Sequence, residues 1–180
     1  MSDKPRRTSL GCNHTIHSGH NHMAWDNARL PAITVAPGDS VAFENVDVAS
    51  DQLNEKSTLK DLSEIDLDLV SPIAGPVYVD GAEPGDSLKV TMLDFEPFGW
   101  GWTAILPGFG LLADDFPHLA LNIWSFDQTF TQPAFFSSGA KIPLKPFCGT
   151  IGNAPAAPGL HSTIPPYSSG GNMDIRDLTV

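Results

Sequence analysis

A chain of 180 residues, 41% hydrophobic, is long enough for one sizeable core and too short for two independent domains, so residues 1–180 are expected to form a single unit. Sixteen glycines and sixteen prolines against 17% charged residues cut it into many short elements, which excludes long helices and favours β-structure. A net charge of −11, from 21 acidic and 10 basic residues, repels polyanions and argues against nucleic-acid partners.

The run Met1–Gly11 is polar and basic without periodicity and is expected to be a loosely held terminus. No apolar leader follows it. No uninterrupted apolar run approaches the ~20 residues of a membrane span, so a soluble, cytoplasmic protein with no membrane partner is expected. Cys12 and Cys148, far apart and without a Cys-x-x-Cys spacing, give neither a disulfide framework nor a thiolate zinc site; one disulfide between them stays open.

Most of the six histidines then crowd into His14-Thr15-Ile16-His17-Ser18-Gly19-His20-Asn21-His22, ahead of Trp25-Asp26-Asn27. Neutral imidazole is the commonest metal ligand, and on a strand His20 and His22 would share one face and reach one ion. A Gly-containing polar loop with no ligand explains the same composition.

Ala32–Val35 and Ser40–Val46 read as strands joined by Pro37-Gly38-Asp39, a hairpin or a corner. Pro37-Gly38-Asp39-Ser40-Val41 recurs as Pro84-Gly85-Asp86-Ser87-Leu88, each followed by an alternating strand that ends near an acid, Asp47 or Asp94. This is either shared turn chemistry or the mark of two related β-units. Between them, Lys60–Asp68 spaces Leu62, Ile65 and Leu69 for a short helix with a charged wet face.

The stretch around which the chain is organised is Gly75-Pro76-Val77-Tyr78-Val79-Asp80-Gly81-Ala82-Glu83-Pro84-Gly85-Asp86. Val77–Val79 is a short strand between two breaks, and Pro84-Gly85 suits a type II turn. Ser87–Leu93 alternates as a strand leading away. Glu83 therefore sits on a stiff corner, either as a solvated loop acid or as a held catalytic carboxylate.

Farther on, Phe98–Thr103 and Pro107–Leu112 are aromatic and glycine-rich, and Trp100 and Phe109 are candidates for an apolar substrate wall or for a core corner. Ile123–Phe126 reads as a strand, and Ile142–Phe147, interrupted by prolines, as an edge strand at best. In Gly170-Gly171-Asn172-Met173-Asp174 the paired glycines let the backbone close around something, while Asn172 and Asp174 offer oxygen ligands or hydrogen-bond partners.

The Gly75–Asp86 run, together with Gly108-Phe109-Gly110, Ile151-Gly152-Asn153-Ala154-Pro155 and Gly170–Asp174, resembles the acetamidase/formamidase family of amide hydrolases from about Trp25 to Thr179. The resemblance implies a mainly β fold, a β-sandwich or jelly-roll-like arrangement with short connecting helices. It also implies metal-assisted hydrolysis of small carboxamides to a carboxylate and ammonia, and a homo-oligomer. Carried onto this chain, it implies catalytic roles for Glu83 and Gln52, and metal ligation of a divalent ion, zinc or else calcium, by His22, His20, Asn172 and Asp174. Ser71-Pro72 stands where many relatives have His-Pro. Relatives continue into segments with Gly-Asp-x-His and Gly-Asp-Gly-Glu that this chain does not contain, so a second chain carrying that segment is an expected partner. The alternative is a catalytically inactive β-sandwich serving as a binding or structural subunit. A covalent nucleophile is not expected, because no Ser-x-x-Lys or Gly-x-Ser-x-Gly pattern occurs and neither cysteine has an activating partner.

Overall fold

The computed structural model describes residues 11–136 and 139–180, so the expected loose terminus lies outside the described residues except for Gly11. The architecture is mainly β, with very short strands, as the density of turn residues demands. The N-terminal part holds β1 (His14–Ile16), β2 (Asn21–His22), β3 (Ala24–Trp25), β4 (Ile33–Val35) and β5 (Val41–Phe43). One helix, α1 (Leu59–Ser63), precedes β6 (Ile73–Ala74) and β7 (Val77–Val79). The longest strands follow, β8 (Trp100–Ile105) and β9 (Ala120–Ser125), then β10 (Ala134–Phe135) and β11 (Lys141–Ile142). The chain closes with β12 (Thr150–Gly152), β13 (His161–Ser162), β14 (Pro166–Tyr167) and β15 (Gly170–Asn172).

Pairing is mostly between strands distant in sequence. β1 lies parallel to β5 and β4 parallel to β7, while β2–β6, β3–β13 and β8–β9 are antiparallel. Pro37-Gly38-Asp39 is thus a corner and not a hairpin: β4 and β5 leave it for different partners. The C-terminal sheet has the order β12-β15-β14.

The paired glycines of that sheet are explained by crowding. A Cβ on Gly152 would stand 2.7 Å from Gly171 N, and one on Gly170 would stand 2.6 Å from Gly152 Cα, so only glycines let β12 and β15 approach this closely. What the backbone closes around is its own neighbouring strand.

The expected helix over 60–68 is realised in two pieces, α1 and a 3₁₀ turn at Leu67–Leu69. Thr58 and Asp61 form a reciprocal capping box that starts α1, with Thr58 N donating to Asp61 Oδ2 at 2.7 Å. Leu62 is buried with Ala49 and Leu53, and this cluster packs against Trp102 and Ala104 of β8 and Leu121 of β9. Alternation along β8 puts Trp102 and Ala104 on one face, and Ala104 stands opposite Leu121 in the ladder.

Ser87–Leu93, expected as a strand, joins no ladder and makes no backbone hydrogen bond among the described residues. Its side chains are largely exposed, including Leu88, Val90 and Leu93. The edge strand expected over 142–147 stops at Ile142, where Pro143 removes the next ladder donor.

Leu62 carries the helix's attachment to the β8–β9 face. Leu62→Ala is expected to cost about 2–5 kcal/mol in urea unfolding, whereas Leu67→Ala, at an exposed position on the following 3₁₀ turn, should change stability by less than about 0.5 kcal/mol.

Candidate functional site

The run Ile73–Val79 is paired along both halves. β6 holds β2, with His22 opposite Ile73, and Gly75 N donates to His20 O at 3.2 Å. Beyond the cis Gly75–Pro76 bond, Pro76 O accepts from Ala32 N at 2.8 Å and β7 runs beside β4. Asp80 N then donates to Val35 O at 2.8 Å, which carries the frame up to the turn bearing Glu83.

That turn has the expected form. Asp86 N donates to Glu83 O at 3.0 Å, Gly85 takes φ +105°, and Asp86 Oδ2 accepts from Glu83 N at 2.9 Å. Both backbone groups of Glu83 are engaged, while its exposed carboxylate makes no hydrogen bond or ion pair among the described residues.

His20 and His22 do not share a strand face. His20 ends a 3₁₀ turn, Ser18–His20, before β2 begins. His22 is half-buried, and burial holds its ring below the ordinary imidazole range; Nδ1 lies 3.4 Å from His20 O. His14 and His17 are engaged elsewhere, with His14 Nε2 3.1 Å from Asp39 Oδ2 and His17 Nδ1 3.0 Å from Glu44 Oε2.

Gln52 is committed to backbone, and Asn172 to one side chain and one backbone carbonyl. Gln52 Nε2 donates to Asp66 O at 3.0 Å and its Oε1 accepts from Asp66 N at 2.6 Å, so the side chain clamps one residue of the helical segment. Ser50 and Asp51 take φ of +53° and +60° to turn it there. Asn172 Oδ1 accepts from Thr150 Oγ1 and its Nδ2 donates to Ile164 O. Asp174 follows at φ +50°, with its N–H on Gly149 O at 3.0 Å. Among the described residues no three His, Cys, Asp or Glu side chains come together as ligands, so the four candidates do not by themselves make a metal site. Cys12 and Cys148 are separate free thiols, and burial raises the Cys148 thiol.

Two features went unread in the sequence. Trp25 is buried opposite His161 in the β3–β13 pair, and its indole N–H has no partner among the described residues, a deficit worth about 1–3 kcal/mol. The alternation of β3 could have flagged the burial but not the orphaned donor. Second, a cleft of about 500 Å³ opens beside β8 and β9, walled by Trp102, Trp124, Phe126 and Phe130 and faced by Pro143 and Pro146. Trp102 Nε1 donates to Asp47 Oδ2 at 2.9 Å within it. Trp100, at the start of β8, does not line this cleft, and Phe109 is 70% exposed on a loop.

The model of the Acetamidase/Formamidase family matches residues 11–162. The chain belongs to the acetamidase/formamidase family. A formamidase of Methylophilus methylotrophus is 35% identical over 120 residues, covering 63% of this chain and 29% of that protein. An acetamidase of Mycolicibacterium smegmatis is 27% identical over 220 aligned positions, covering 89% of this chain and 54% of its own length. The crystal structure of an acetamidase from Bacillus halodurans superposes with a TM-score of 0.82 at 30% identity, over 92% of this chain and 54% of that one. The family member described here thus spans about half the length of that acetamidase structure. No helix among its described residues is long and apolar enough to cross a membrane.

The displaced titration of His22 has a definite sign. Its folded pKa is lowered, so the unfolded chain, titrating near its usual value of about 6.5, binds more protons; this group leaves stability unchanged above that pH and weakens it as acid is added below. NMR titration should find the His22 midpoint below about 6.5, and His22→Gln should flatten the loss of stability between about pH 7 and 5.

Proposed function

We propose that this chain takes part in hydrolysis of small carboxamides of the formamide or acetamide kind, releasing ammonia and a carboxylate. The observation that carries the reading is the fixed Glu83 corner within a chain of this family: a carboxylate on a doubly bonded turn, with nothing among the described residues engaging its oxygens. An amide is a poor electrophile whose nitrogen must be protonated to leave, and a positioned carboxyl group contributes about 10²–10⁴-fold to such a transfer. Rigid support counts because misplacement raises the barrier steeply.

In this reading Glu83 moves the proton, His22 stands neutral on β2 as an available nitrogen, and an apolar wall orients the small substrate. A divalent ion, zinc before calcium, would polarise the carbonyl and lower the pKa of water when bound. The donors among the described residues do not by themselves complete its ligand set. The reading therefore includes a second polypeptide supplying the further His and acidic groups, and a homo-oligomer as the working assembly in the cytoplasm.

The commitment of Gln52 and Asn172 to hydrogen bonds within the fold favours a second reading, a non-catalytic structural subunit. One measurement separates the two. In the assembled protein, Glu83→Gln should lower turnover of formamide or acetamide by about 10²-fold or more with an unchanged circular dichroism spectrum. Near-wild-type turnover would return Glu83 to a plain turn, and an assembly without turnover would favour the structural subunit.

A further inference from the structure

Neither Glu83 nor His22 lines the aromatic cleft beside β8 and β9, and the rings that wall it are held one by one. Trp102 Nε1 donates to Asp47 Oδ2 at 2.9 Å. Trp124 Nε1 donates to Thr103 Oγ1 at 3.1 Å, and its ring packs on Phe136 at a centroid distance of 5.5 Å. Phe126 stands over Gly101, where an added Cβ would come 2.8 Å from the ring, so the glycine keeps the ring's place open. Phe130 takes φ +57°, in the left-handed region that a bulky side chain rarely adopts. Asp127 holds it there. Its carbonyl accepts from Phe130 N at 3.0 Å, and its carboxylate accepts from Thr129 Oγ1, Thr131 Oγ1 and Gln132 N on either side.

A cleft of about 500 Å³ with aromatic walls and few polar groups has the size and lining of a small-molecule site. Charge decides which small molecule. The face of an aromatic ring is negative and attracts an organic cation, and rings already fixed have little freedom left to lose in closing round one. Asp47 is the carboxylate of the lining; it accepts one bond at each oxygen, from Ala49 N and from Trp102 Nε1, which leaves each oxygen a lone pair. Asp127, between Phe126 and Phe130, is kept ionised by its two threonine hydroxyls. Lys145 is the one cationic side chain among the described residues of the lining, and it is exposed, with a stem long enough to turn its ammonium to water. An anion would meet both carboxylates on a chain of net charge −11.

We propose that this cleft binds a small organic ammonium ion with an apolar body, an arylalkylamine in its protonated form, whose ring lies among Trp102, Trp124, Phe126 and Phe130 and whose N–H groups donate to Asp47. The inference does not rest on the amide-hydrolysis reading. It concerns a ligand and not a reaction, and it stands or falls on this lining.

Phenethylammonium, phenethyl alcohol and phenylacetate have like shapes and different charges. Each is titrated into the 180-residue chain near neutral pH and followed by the indole N–H NMR signals of Trp102 and Trp124. The ammonium is expected to shift both signals and to bind about tenfold or more tighter than the alcohol, with phenylacetate weakest. Asp47→Asn should erase the preference for ammonium over alcohol, and Trp124→Leu should weaken both ligands. Because Asp47 also holds Ala49 and Trp102, Lys145→Glu, at an exposed position, takes its place should Asp47→Asn lose its native circular dichroism; it should raise ammonium affinity about two- to fivefold and leave the alcohol unchanged. The proposal is overturned if the alcohol binds as tightly as the ammonium, which would make the cleft a plain apolar cavity, or if phenylacetate binds tightest, which would make Lys145 the recognising charge. It is overturned equally if no probe moves the two indole signals, or if the folded Asp47 and Lys145 variants keep the wild-type preference.

Discussion

The pairing of Ile73–Val79 on both sides is the constraint from which the rest of the structure follows. β6 takes β2 in antiparallel register and β7 takes β4 in parallel, so one short run ties the histidine segment to the corner carrying Glu83. Parallel pairing needs a crossover between the partners, and here it carries the helical segment from Ala49 to Leu69. That crossover is not idle chain: it brings Leu62 onto the β8–β9 face and places Gln52 where both of its amide atoms can hold Asp66. The core and the candidate site are thus consequences of the same non-local ladders.

Much of this was legible in the sequence wherever chemistry is local. The Pro-Gly turn at Glu83, the strand Val77–Val79 and the helix around Leu62 follow from fixed φ, β-branched residues and apolar spacing, and each stands where those rules put it. Partners were not legible, because hydrogen bonding between strands is set by residues far apart in the chain. Ser87–Leu93 has a strand's alternation and no ladder among the described residues; Pro37-Gly38-Asp39 has a hairpin's turn chemistry, yet β4 and β5 pair with β7 and β1. His20 shows a third limit: period-two spacing predicts a shared face only if the backbone is extended, and Ser18–His20 is a 3₁₀ turn.

The candidate site was legible to the same extent. Glu83 was readable from its turn, since the geometry that fixes it is contained in its own four residues. Gln52 and Asn172 were readable as amides with capacity to bind, but an amide that can bind substrate can equally hold a backbone, and in this fold the backbone of Asp66 and of Ile164 takes them. The unpartnered indole N–H of Trp25 could not have been read from the sequence at all, because it is defined by what fails to surround it.

The many acids of this chain divide by what already occupies their oxygens, and that division bears on which of them can move a proton. Asp26, Asp47 and Asp66 each accept from a backbone N–H two residues on, and Asp39, Asp61 and Asp86 each accept from one three residues back. Asp127 accepts from both Thr129 and Thr131, and those hydroxyls hold its carboxyl well below the usual range; backbone donors do the same for Asp39 and Asp61. The carboxylates of Asp39, Asp61 and Asp127, stabilised in this way, stay ionised and spend their lone pairs on their own loops, which makes them poor donors of a proton to a leaving amine. Glu83 is arranged the other way round. Its turn is held by the carboxylate of Asp86 and by its own backbone, so the rigidity of the corner draws nothing from the Glu83 side chain, and the oxygens on that corner are left to whatever meets them.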